Sequence, residues 1–139
     1  MSRLKIKKSN GAWFTIANPC FISLGGYVVL TNVGTSYDAV ALSKGLGIAS
    51  IDFTGCIQID FIVFVNKIGS GTQSWQLWDV TGGAELTVIN DAAGSGDKTL
   101  SVAKTTSLPT GIKTVRVRVK STTAADDPVY YGAAIRVTY

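Results

Sequence analysis

The stretch IQIDFIVFV at residues 57–65 decides the fold class. Alternate positions of this stretch form two sets, Ile57, Ile59, Phe61, Val63 and Val65 on one face and Gln58, Asp60, Ile62 and Phe64 on the other. Because successive side chains of a strand point to opposite sides, this alternation predicts a strand with one face in the core. The second face is polar at its start and apolar at its end, so the side chains of Ile62 and Phe64 are expected to be buried by another surface. That surface is either a second subunit or, equally well, the N-terminal ribbon or a long loop of the same chain.

The same period of two extends over most of the 139 residues. Further strands are predicted at residues 27–32, 39–42, 74–80, 85–90, 99–103, 112–120 and 129–139. Turns rich in glycine separate them, and no segment has the periodicity of a helix. The sequence therefore predicts an all-β protein, an antiparallel β-sandwich of jelly-roll type. The first 17 residues predict a β-ribbon, and we divide the chain into a basic N-terminal arm, residues 1–24, and a jelly-roll β-sandwich domain, residues 25–139.

The arm carries the net charge of the chain. The chain has 13 basic and 9 acidic residues, and four of the basic ones stand among the first eight positions. The remaining residues are neutral in sum, so the excess charge indicates an anionic partner for the arm, with a solvated terminus as the alternative. A nucleic-acid binder would spread basic residues over a folded face among aromatics, and this pattern is absent, so no nucleic acid is expected. No apolar run reaches the roughly 18 residues of a membrane span, so no membrane partner is expected either.

Several kinds of chemistry are disfavoured by composition. The chain contains no histidine, which removes the commonest general base and metal ligand and any Ser-His-Asp triad. Cys20 and Cys56 are interpreted as inert thiols, although a disulfide between them stays open. The aspartates are few: residues 126–127 are interpreted as a turn before a proline, and the loop of residues 91–97 lacks the spacing of a calcium loop. We predict no enzyme activity, no cofactor and no metal site.

The aromatic residues are the remaining candidates for binding. Trp75 and Trp78 fall on opposite faces of one predicted strand, so one belongs to the core. The other lies under a loop, in a subunit contact or exposed to a ligand. Exposed rings pack well against sugars, which makes Tyr37, Tyr130 and Tyr131 candidate glycan contacts.

Four segments carry a resemblance to a known class of proteins. They are FVNKIGSGTQSWQLWDVTGGAEL at residues 64–86, GSGDKTLS at 94–101, VRVRVKSTTAADDPVYYG at 115–132 and LKIKKSNGAWFTIA at 4–17. The first three resemble β-sandwich modules in structural proteins of tailed bacteriophages, and the last is similar to the basic β-ribbon starts of phage fibre and head-decoration proteins. The resemblance implies a non-catalytic jelly roll that assembles as a homotrimer, either as a capsid decoration (cement) protein or as part of a tail fibre or spike.

The charge pattern of the arm and the resemblance to phage structural proteins together predict a homotrimeric capsid decoration protein that binds and stabilises the lattice of the major capsid protein. The chain would be made in the host cytoplasm and would reside on the capsid surface of the virion. The predicted capsid contacts in the arm are Arg3, Lys5, Ile6, Lys7, Lys8 and Trp13. The predicted subunit contacts are Ile62, Phe64 and Trp78. The alternative is a receptor-binding or carbohydrate-binding module of a tail fibre or spike that uses Tyr37, Tyr130 and Tyr131.

Overall fold

The computed structural model describes residues 5–7, 13–15, 20–39 and 46–139, with residues 5–7, 13–15 and 20 described by their backbone alone. These residues contain eleven strands and no helix. The strands are β1 Lys5–Lys7, β2 Trp13–Thr15, β3 Cys20–Leu24, β4 Val28–Val29, β5 Ile48–Asp52, β6 Gln58–Lys67, β7 Gln73–Asp79, β8 Ala84–Asp91, β9 Gly96–Lys104, β10 Ile112–Ser121 and β11 Val129–Thr138. The described part of the chain has no helix with the length and apolarity needed to cross a membrane.

Two antiparallel sheets form a sandwich. One has the strand order β5-β10-β7-β8, and the other has the order β3-β11-β6-β9 with β4 as a fifth strand on β11. This alternation of early and late strands is the double Greek key of a jelly roll. The predicted fold class is therefore confirmed, and β1 and β2 pair antiparallel as the expected ribbon.

The strand β3 belongs to the sandwich. Sequence analysis counts its residues with the arm, but Cys20–Leu24 pairs in register with Ala133–Val137 of β11, and Leu24 is fully buried. The arm that precedes the sheets is accordingly shorter than residues 1–24.

The core lies between the facing sides of the sheets, as period two predicts. β10 contributes Val115, Val117 and Val119, all fully buried. Trp75 of β7 is fully buried as well, and its ring stacks on that of Tyr130 with centroids 6.0 Å apart. Each such side chain contributes roughly 1.5–3 kcal/mol through its burial, so this face-to-face packing holds the sandwich together.

Several strand boundaries differ from the prediction. β6 starts after Ile57, which is exposed, and continues to Lys67, two residues beyond the stretch predicted as a strand. Lys67 stays buried because its Nζ atom donates hydrogen bonds to the carbonyls of Asp91 (3.0 Å) and Ala93 (2.6 Å). The strand predicted at residues 27–32 is reduced to Val28–Val29. The one predicted at residues 39–42 lies outside the described residues beyond position 39.

Candidate functional site

The outer face of the five-stranded sheet, here called the front face, carries the predicted pair Ile62 and Phe64. Both side chains point away from the core, as the alternation in β6 predicts: Ile62 is half-buried and Phe64 is exposed. Phe21 of β3 lies on the same face and is 63% exposed. The front face therefore combines apolar side chains with an ion pair, in which Arg136 Nε lies 2.6 Å from Asp60 Oδ2.

A shallow depression of about 330 Å³ opens at one end of the front face. Its lining consists of Phe64, Val65, Asp97, Lys98, Thr99 and Tyr131. Tyr131 donates a hydrogen bond from its hydroxyl to Asp97 Oδ1 at 2.9 Å, and its ring stacks on that of Tyr27 with centroids 5.9 Å apart. The pKa of Tyr131 is raised. The hydrogen bond with Asn66 is the largest single influence and lowers it, but the hydrogen bond with Asp97, burial and the negative charges of Asp97 and Tyr27 together raise it by more.

A β-bulge in β11 determines which of the two neighbouring tyrosines faces the core. The register against β6 shifts between Tyr130 and Gly132, and Gly132 adopts a φ of 140° that favours glycine. As a result Tyr130 points into the core, where it is fully buried and its hydroxyl donates to the Leu24 carbonyl. Burial raises the pKa of Tyr130. The prediction that Tyr130 contacts a glycan is therefore wrong, because no surface ligand reaches it, whereas Tyr131 is accessible.

The loop of residues 30–39 covers part of the outer face of the four-stranded sheet, here called the back face. Asp38 lies against two arginines of β10, with Oδ2 2.5 Å from Arg116 and 3.1 Å from Arg118. Arg118 lies 4.9 Å from the ring centroid of Tyr37 and 4.3 Å from that of Trp78. These contacts fix the loop against the sheet through charge and cation–π attraction.

Tyr37 and Trp78 are consequently parts of this covered cluster. Both are half-buried. Burial raises the pKa of Tyr37, with the negative charge of Glu85 acting in the same direction and Arg118 opposing it. Trp78 lies on the back face and Ile62 with Phe64 on the front face, so the structure does not bring the three predicted subunit contacts together. It does bear out that one of the two tryptophans, Trp75, belongs to the core.

Three exposed isoleucine and valine side chains on the back face were missed by sequence analysis: Ile48, Val80 and Ile112. Ile48 and Ile112 each lie two positions along their strands from Ser50 and Thr114, whose hydroxyls are 3.3 Å apart, and the Val80 amide donates to the Thr114 carbonyl. Ile112 is 71% exposed. The alternation in the sequence could have identified Ile112 as exposed, since period two places it on the same side of the strand as the outward-facing Arg116 and Arg118.

The aspartates hold loops together. Lys98 Nζ lies 2.8 Å from Asp91 Oδ1, so an ammonium group satisfies the carboxylate that sequence analysis weighed as a calcium ligand. Asp126 is buried and accepts hydrogen bonds from the Gly71 amide and the Ser121 hydroxyl, while Asp127 accepts one from the Asn32 amide. No group of three or more acidic, cysteine or histidine side chains able to hold a metal occurs in residues 21–39 and 46–139.

The thiols and the arm are described only in part. Cys56 is a free thiol whose pKa is raised by burial.

Of the predicted capsid contacts in the arm, Arg3 and Lys8 lie outside the described residues. Lys5, Ile6, Lys7 and Trp13 contribute backbone to the paired strands β1 and β2. Their contact with a capsid stays a prediction.

No protein-family model matches this chain, and no curated protein matches it. Several solved structures are similar to it. The Eiger TNF from S. frugiperda is 13% identical, with a TM-score of 0.52 over 87% of this chain and 92% of that one. A CBM35 from Cellvibrio japonicus Abf62 is 14% identical, with a TM-score of 0.47 over 84% and 92%. A structure of the infectious bursal disease virus Gx strain is 12% identical, with a TM-score of 0.47 over 99% of this chain and 36% of that one. At these identities the likeness concerns the sandwich fold alone.

Proposed function

We propose that this chain is a virion structural protein, a homotrimeric capsid decoration protein that binds and stabilises the major capsid lattice of a tailed bacteriophage. It acts through contacts, without catalysis or a cofactor, on the capsid surface after synthesis in the host cytoplasm. The observation that carries the proposal is that the outer faces of both sheets carry apolar side chains in contact with water. We call Phe21, Ile62 and Phe64, which share the front face, the front patch, and Ile48, Val80 and Ile112, which share the back face, the back patch.

Two different patches suit a cyclic assembly. In a ring each subunit uses one surface to contact a different surface of its neighbour, whereas a twofold dimer needs only one surface that matches itself. Apolar side chains exposed on one face of a sheet suit such contacts, because burial against a second copy removes them from water. The front patch of one copy therefore packs against the back patch of the next, and a second copy of this chain is the occupant of both.

The arm supplies the second contact. The excess positive charge of the chain resides in its first eight residues, while the sandwich is neutral in sum. Lysines that alternate with apolar residues suit an extended segment that adds to a strand edge on an acidic surface. A trimer presents three such arms at once, and their linkage raises the overall affinity well above that of one arm.

Removal of the arm tests this function. A variant lacking residues 1–8 keeps the described sandwich, and we expect it to lose binding to particles purified from the phage that encodes this chain. A Lys5→Ser, Lys7→Ser variant keeps the length of the ribbon and isolates the part played by charge. Immunogold images of the same virions locate the chain on head or tail. Unchanged binding of the truncated protein, or label confined to the tail, would overturn the proposal.

A further inference from the structure

We propose that the depression on the front face is a binding site for a neutral sugar, one pyranose ring of a glycan. This site does not depend on the decoration function, and it involves residues beyond the patches that we assign to self-association. Phe64 belongs to the front patch and also lines the depression, so the variants below leave it unchanged.

Tyr131 provides the stacking surface, and the exposed ring of Tyr27 packs on it from outside the lining of the depression. Tyr27 is 67% and Tyr131 42% exposed, and their rings lie 5.9 Å apart at an interplanar angle of 30°. Large aromatic side chains in contact with water lose the stabilisation that burial would give them, so a stacked exposed pair indicates a ligand surface. The C–H groups of a pyranose ring offer the apolar face that such rings accept.

Polar groups at the rim provide hydrogen bonds for sugar hydroxyls. The Oδ1 atom of Asp97 accepts the hydrogen bond from the Tyr131 hydroxyl, and its Oδ2 atom has no hydrogen-bond donor among residues 21–39 and 46–139. Thr99 adds a hydroxyl to the lining. A few placed polar groups beside an apolar wall are the usual composition of a small-ligand site.

The charges favour a neutral sugar over an acidic one. Lys98 also lines the depression, but both oxygens of Asp91 bind its ammonium group, at 2.8 and 3.0 Å. The carboxylate of Asp97 therefore remains without a cationic partner in the depression, and it repels a uronic or sialic acid.

The backbone holds Tyr131 in place before any ligand arrives. The bulge turns it outward while its neighbour Tyr130 is anchored in the core by the hydrogen bond to Leu24. Its hydroxyl is held by Asp97. A ring fixed in this way loses little rotational freedom on binding. The volume of about 330 Å³ is at the lower end of the range of ligand clefts, so one ring rather than a long chain fits.

Titration with defined sugars tests the site. The probes are methyl β-D-glucopyranoside and methyl β-D-galactopyranoside, with methyl β-D-glucuronide as the acidic comparison, and the readout is the chemical shift of ¹⁵N-labelled full-length protein. We expect at least one neutral probe to bind with a dissociation constant on the order of 1–10 mM, with the shifts confined to β6, β9, β11 and residues 25–28. The glucuronide should bind more weakly.

Variants assign the contacts. Tyr131→Phe keeps the ring and loses the hydroxyl, and we expect about 3–10-fold weaker binding. Tyr131→Ala loses the ring and should bind about tenfold more weakly or worse. Asp97→Asn should let the glucuronide approach the affinity of the neutral probes. Ile57→Ala removes an exposed apolar side chain outside the depression and outside both patches, and it should change nothing.

Three outcomes would overturn the proposal. The first is the absence of shifts with both neutral probes at about 50 mM. The second is binding that survives Tyr131→Ala unchanged in a variant whose spectrum shows that it is folded. The third is tighter binding of the glucuronide than of the neutral sugars.

Discussion

Replacing Asp126 by alanine should destabilise the sandwich far more than the same change at its neighbour Asp127. Asp126 is 2% exposed and its Oδ2 atom accepts hydrogen bonds from the Gly71 amide (3.1 Å) and the Ser121 hydroxyl (2.6 Å). The carboxylate thereby joins the β6–β7 turn to the segment after β10. The fit is close, because a Cβ atom on Gly69 would lie 2.0 Å from Asp126 Oδ1.

The magnitude follows from what the two donors lose. The Gly71 amide is left buried without an acceptor, which costs about 1–3 kcal/mol. The Ser121 hydroxyl can turn to the Thr72 carbonyl, 3.4 Å away, so its loss is closer to 1 kcal/mol. Removing the desolvation cost of a buried carboxylate offsets part of this, and we expect a net loss of about 2–3 kcal/mol in the free energy of unfolding.

Urea unfolding followed by tryptophan fluorescence measures this loss, with Asp127→Ala as the matched control. Asp127 accepts a hydrogen bond from the Asn32 amide at an exposed site, and its replacement should cost less than about 1 kcal/mol. Asp126→Asn keeps the shape and one acceptor and should fall between the two. Equal losses at positions 126 and 127 would refute the reasoning.

Three further predictions concern other buried polar groups. Lys67→Met leaves two carbonyls without their donor and should lower the free energy of unfolding by about 2–4 kcal/mol in the same urea assay. Burial raises the folded-state pKa of Tyr130, so the stability due to its protonated form is complete below the unfolded pKa of about 10 and is lost as pH rises through the folded value. Chemical denaturation from pH 8 to pH 11, in steps of about one unit, should therefore show that the free energy of unfolding falls more steeply with pH in the wild type than in Tyr130→Phe. Asp38→Ala leaves Arg116 and Arg118 without their shared carboxylate, and limited proteolysis should then cleave the loop of residues 30–39 faster than in the wild type; equal cleavage rates would contradict the role given to this ion pair.

The sheets could be predicted because the core decides the pattern of their residues. Val115, Val117 and Val119 alternate with outward basic residues in β10, and the structure reproduces that alternation without a break. The ends of strands were less predictable. Lys67 lies two residues beyond the stretch predicted as a strand, and lysine is rarely buried. Its ammonium group is satisfied by the carbonyls of Asp91 and Ala93, which are distant in the chain.

The site was predictable only where strands are regular. The outward direction of Ile62 and Phe64 followed from period two, and the structure confirms it. The bulge in β11 breaks that period, so the sequence could not separate Tyr130 in the core from Tyr131 at the surface. The covered position of Tyr37 depends on a loop contact with β10, and no local pattern predicts a contact between residues so distant in the chain.

The central claim is that copies of this chain join through the front and back patches into a closed ring of three. Light scattering coupled to size-exclusion chromatography of the full chain at micromolar concentration measures it most directly. We predict a mass three times the 14.6 kDa of one chain, and a single-chain mass for the variants Phe21→Ser and Ile112→Ser, which alter one patch each. A wild-type protein that elutes with the mass of one chain would contradict the account.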